Sequence, residues 1–104
     1  MIKATFYRNK GFTAGFLIRG HSGYAEEGSD VICASVSSAA YMAANTLTEI
    51  VGAEADIAVD DGYLKLTLNE PTDKTELILQ GLELHISTLA QDYDEYILCD
   101  EKTL

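Results

Sequence analysis

The sequence is short of positive charge. Seven lysines and arginines stand against seventeen acids, for a net charge of −10 and a pI near 4.3. Such a surface repels nucleic-acid phosphate and argues against direct DNA or RNA binding. It suits a basic partner, and it also keeps a small protein soluble. Proline occurs once, while hydrophobic residues make up 47% of the chain, which excludes an intrinsically disordered protein. No apolar run nears the roughly 18 residues needed to span a membrane, so no membrane partner is expected. The opening residues, MIKATFYRNKGF, lack a signal-peptide core and cleavage pattern. A cytoplasmic location is therefore expected. There the two cysteines, Cys33 and Cys99, stay reduced, and a structural disulfide is not expected. With His21 and His85 they show no close paired spacing, so no metal site and no cofactor is expected.

The 104 residues hold no repeat, low-complexity tract or linker, and one domain over 1–104 is expected. IKATFYR and TAGFLIRG alternate in β-branched and aromatic residues. They predict an antiparallel hairpin with Ile2, Ala4, Phe6, Ala14, Phe16 and Ile18 inward. DVICASVSSAAYMAANTLTEIVG predicts a long helix capped by Ser29 or Asp30 and ended near Gly52. Its buried stripe is Ile32, Val36, Ala39, Ala43, Leu47 and Ile50. Asp61-Gly62 predicts a type I′ hairpin that sets Val59 opposite Leu64, Ile57 opposite Leu66 and Ala55 opposite Leu68. A second helix follows, with a capping box of Asp73 and Glu76 and a stripe of Leu79, Leu82, Ile86, Leu89 and Tyr93. EYILCD is a last short strand. The fold class is α+β in ββα-ββα-β order, an antiparallel or mixed sheet with two helices packed on one face.

Chemistry concentrates between residues 19 and 40. Cys33 falls in the first turn of the long helix, where free amides and the helix dipole favour thiolate. With a cationic neighbour such an end lowers a cysteine from about 8.5 into roughly 3.5–7.5. His21 is that neighbour, since the twelve-residue separation lets the loop fold back. A Cys–His pair is the minimal machinery for nucleophilic attack on an acyl group. The helix amides would also serve a tetrahedral oxyanion. Asp30 either caps the helix, the commoner use of Asp there, or orients His21. Ser37, one turn beyond Cys33, either bonds the histidine or substrate or bonds its own backbone. The loop with Gly20, Ser22, Gly23, Tyr24, Gly28 and Ser29 is no phosphate cradle, because Glu26, Glu27 and Asp30 repel phosphate and no lysine follows. It reads as a lid over a peptide, with Tyr24 contacting substrate or anchoring the loop. Cys99 reads as packing, and His85 has no assigned role.

The run GHSGYAEEGSDVICASVS resembles the signature of Prp, the ribosomal-processing cysteine protease of Firmicutes and related bacteria. Gly20, His21, Asp30, Cys33 and Ser37 match that signature in type and spacing. Ser35, where alanine is usual, departs from it. The chain length, the element order and the final DYDEYI are compatible with the same family. The resemblance implies a cysteine endopeptidase with Cys33 as nucleophile and His21 as partner, a homodimer, and a loop that is mobile until substrate binds. It implies removal of an N-terminal extension from large-subunit ribosomal protein twenty-seven, cut after an apolar stretch ending in aromatic residues. Two rival readings remain. One is a non-catalytic acidic dimeric module that docks on a basic ribosomal protein. The other is a redox sensor in which Cys99 resolves Cys33.

Overall fold

The computed structural model describes residues 1–25 and 30–104. Five strands and two helices follow in the expected order: β1 (Ile2–Asn9), β2 (Phe12–Arg19), α1 (Val31–Asn45), β3 (Ala55–Asp60), β4 (Tyr63–Leu68), α2 (Asp73–Asp92) and β5 (Ile97–Thr103). The strands form one mixed sheet, β3-β4-β2-β1-β5, antiparallel except where β5 lies parallel to β1.

Turn chemistry sets the two hairpins. Lys10 and Gly11 both adopt positive φ, 53° and 85°, as a two-residue type I′ connection requires. The expected type I′ turn at Asp61-Gly62 does not form. Gly62 alone takes a positive φ, 62°, which spares Asp61 the steric cost of that region. The expected register of this hairpin does hold, with Val59 opposite Leu64, Ile57 opposite Leu66 and Ala55 opposite Leu68.

The core lies between the sheet and the helices. Ile2, Ala4, Phe6, Phe16 and Leu66 from the strands meet Ile32, Val36, Leu47, Leu79 and Ile86 from the helical segments. Burial of each large side chain contributes on the order of 1.5–3 kcal/mol. Three expected details are corrected. Ile50 is 80% exposed, because α1 runs into a π-helical turn at Thr46–Ile50, where Val51 N–H donates to the Thr46 carbonyl. The extra residue in that turn rotates Ile50 off the buried stripe. The second helix is capped by Thr72 and Thr75 in a reciprocal box, not by Asp73 and Glu76. Glu76 is drawn away to the Thr13 backbone N–H, 2.6 Å off. Tyr93 terminates α2 and is exposed. Ile57 and Val59 are exposed too, because β3 is the sheet edge.

At the far end of the sheet, the register shift between Tyr7 and Arg8 is a β-bulge. It sits where Arg8 reaches Glu83 of α2 at 2.6 Å and Glu101 of β5 at 3.0 Å. That network fastens the first hairpin to α2. No described helix is long and apolar enough to cross a membrane.

Candidate active site

The end of β2 and the start of α1 meet above β4. Gly20 continues the strand, and its N–H donates to the Gly62 carbonyl at 2.8 Å. Its φ is +94°, and a Cβ there would lie 2.3 Å from the Met1 carbonyl oxygen. No other residue fits without moving the N-terminal strand. The chain then turns through His21 and Ser22.

Asp30 is the N-cap of α1. One carboxylate oxygen accepts from the Ile32 and Cys33 amides, both at 3.0 Å. The other accepts from the Ser22 hydroxyl. The Ser22 oxygen in turn accepts from the Tyr24 amide at 3.0 Å. The Ser22 backbone N–H donates to Cys33 Sγ at 3.2 Å. Ser22 is thus buried at the joint between loop and helix. Asp30 is a capping residue, as its sequence position suggests, and its carboxylate bonds leave His21 aside. Tyr24 packs edge-to-face on Tyr96, ring centroids 5.4 Å apart, which anchors the loop. Gly23 takes a φ of +75° with open space around it. Glu26, Glu27, Gly28 and Ser29, which carry the rest of the lid reading, lie outside the described residues.

A cavity of about 300 Å³ opens between α1 and the β3–β4 turn, lined by His21, Asp30, Cys33, Ser37, Tyr41 and Gly62 among others. Cys33 and His21 both face it. No hydrogen bond joins them among the described residues, and the His21 side chain is 48% exposed. Ser37 stands on the same wall, exposed.

The electrostatics correct one expectation. Burial pushes the Cys33 thiol above its ordinary value, and the Asp30 carboxylate adds to the rise, against the lowering effect of the Ser22 amide. The helix end does not favour thiolate here, because Asp30 takes up the Ile32 and Cys33 amides and sets a negative charge beside the sulfur. For the same reason those two amides are not free to serve an oxyanion. The Ser22 hydroxyl and the helix amides hold the Asp30 carboxyl below the usual carboxylate range, against burial. Cys99 lies on β5 opposite Ala4. Burial, then Glu83 and Asp100, push its thiol up to about 11. Both thiols are free.

Sequence reasoning missed Asp61. Its carboxylate lies 3.9 Å from His21 Nε2. The pairing of β2 with β4, continued two steps past Arg19 and Tyr63, sets His21 opposite Asp61, a register between hairpins distant in sequence.

The family model described as cysteine protease Prp matches residues 1–98. The Bacillus subtilis ribosomal processing cysteine protease Prp is 33% identical over 104 residues, covering 91% of this chain and 92% of the relative. A Staphylococcus aureus ribosomal processing protease Prp, solved with a covalently linked product peptide, superposes with a TM-score of 0.92 at 26% identity. That match covers 98% of this chain and 100% of the relative. A Streptococcus mutans protein superposes at 0.87 with 32% identity, over 100% and 96%. With the family model spanning nearly its whole length, this chain belongs to the Prp family of cysteine proteases.

Proposed function

We propose that this protein removes the N-terminal extension of large-subunit ribosomal protein twenty-seven, with Cys33 as nucleophile and His21 as its proton-transfer partner. The observation that carries the reading is that Cys33 and His21 open on one cavity while the Ser22 amide grips the sulfur. The relatives' names supply the ribosomal context, and the covalent product complex of the S. aureus relative supports chemistry through a protein-bound intermediate. The net charge of −10 suits a basic ribosomal substrate.

In the resting site burial and the Asp30 carboxylate oppose ionisation of the thiol. Attack therefore begins with transfer of the thiol proton to His21. The sulfur adds to the scissile carbonyl carbon. The tetrahedral intermediate collapses as His21 returns the proton to the leaving amine, which departs as the new N-terminus of the mature protein. Water, deprotonated by His21, then attacks the thioester, and the sulfur leaves and regains the proton. Ser37 and Tyr41 line the same cavity and would contact the peptide. Gly20, Gly23 and Tyr24 shape the loop beside it. A cytoplasmic homodimer is part of this proposal.

The test mixes the purified protein with the unprocessed ribosomal protein of the same organism and reads products by intact mass. A single N-terminal cut that disappears in Cys33→Ala and weakens in His21→Ala is the expected result. Binding without any cut would favour the non-catalytic docking module.

A further inference from the structure

The β2–β4 ladder does not stop at the strand ends. Arg19 pairs with Tyr63, Gly20 N–H donates to the Gly62 carbonyl, and one step further His21 stands opposite Asp61. There Nε2 lies 3.9 Å from Asp61 Oδ1. Gly62 backs the ring. A Cβ built on it would lie 2.8 Å from Nε2 and 3.3 Å from both Cδ2 and Cε1. The imidazole rests on bare backbone, and any side chain at 62 would displace it. Asp30, the carboxylate beside Cys33, is committed to Ser22 and the helix amides.

We infer that Asp61 is the positioning residue of the Cys33–His21 pair. Its carboxylate faces Nε2 and leaves Nδ1 to exchange a proton with the thiol. This rests on the Cys33–His21 reading above. A carboxylate behind a catalytic imidazole fixes its orientation and favours the imidazolium formed when the thiol gives up its proton. At 3.9 Å the contact is longer than a direct hydrogen bond. With Asp61 76% exposed, it is weak in the resting protein. Asp61 also lines the cavity, so a bound peptide would exclude water from the pair and strengthen it. The effect therefore falls on turnover, not on substrate affinity or folding.

Asp61→Asn is the first variant, since Asn suits the same turn and loses only the charge. Two readouts are taken. Alkylation of Cys33 by iodoacetamide needs no substrate; cleavage gives kcat and KM. The expected result is kcat lowered with KM unchanged, a smaller slowing of the substrate-free alkylation, at most about fivefold, and an unaltered melting temperature. Asp61→Glu retains most of the rate. In a His21→Ala background Asp61→Asn has no further effect, as action through His21 requires. Gly62→Ala, which drives a Cβ into the ring, slows both readouts more. Equal slowing by Asp61→Asn with and without His21 would overturn the inference. So would a normal rate in Asp61→Asn while His21→Ala is slow, an outcome that leaves the pair itself standing. If His21→Ala alkylates and cleaves at the parent rate, it is the Cys33–His21 reading that fails.

Discussion

Ser22 holds Cys33 from one side: its main-chain N–H donates to Sγ at 3.2 Å while its hydroxyl is tied to Asp30. One residue therefore fixes both the sulfur and the cap that starts its helix.

Ser22→Ala removes the bond to Asp30 and the acceptor for Tyr24 N–H. A buried carboxylate oxygen loses its partner. The expected cost is about 1–3 kcal/mol, and each kcal/mol lowers the melting temperature of a domain this size by roughly 4–8 °C. Thermal denaturation checks it, and an unchanged midpoint would mean that the Ser22 hydroxyl carries none of the stability.

Asp30→Asn keeps an N-cap oxygen but removes the charge beside Cys33. Asp30 raises the Cys33 thiol, so its neutralisation eases ionisation. The pH profile of Cys33 alkylation should move to lower pH. A shift to higher pH would mean that Asp30 assists the thiolate.

The two thiols should react unequally. Cys99 is pushed up to about 11 beneath α2, whereas Cys33 faces an open cavity and receives an amide hydrogen bond. Near pH 8, Cys33 should alkylate faster, because it is reached from the cavity while the Cys99 thiol is pushed up to about 11. Peptide mapping after timed labelling measures the ratio. Two slow, similar thiols would favour the docking module, and a Cys33–Cys99 disulfide under mild oxidant would favour the redox sensor.

Glu76 should mark the acid limit of the first hairpin. Burial opposes its ionisation, yet the Thr13 amide, Gln80, the Thr13 hydroxyl and Arg8 hold its carboxyl below the ordinary range. A depressed carboxyl adds stability that is present above its unfolded value and is lost as pH falls through the lower folded one. The loss therefore begins below about pH 4.3. Glu76→Gln should lower stability at pH 7 and flatten its decline below pH 4 in urea titrations. An equal decline in parent and variant would remove Glu76 from the acid limit.

Much of this was legible in the sequence. Alternation fixes which face of β1 and β2 is buried, and the three apolar pairs of the β3–β4 hairpin admit no slip in register. The Cys33, His21 and Asp30 spacing marks the site, and Asp at the helix start marks the cap. Other features depend on three dimensions. The π-turn that exposes Ile50 follows from packing at the end of α1. The raised Cys33 thiol follows from burial first, and then from the Asp30 carboxylate beside it. Asp61 enters through the pairing of two hairpins distant in sequence, which no local pattern encodes.

The most direct test of Cys33 as nucleophile is covalent capture. A chloromethyl ketone on an apolar peptide ending in an aromatic residue is incubated with the protein, and the adduct is located by peptide mass. The expected result is one adduct, on Cys33, formed faster than by iodoacetamide and slowed in His21→Ala. Labelling on Cys99, or equal labelling of both cysteines, would contradict Cys33 as the nucleophile.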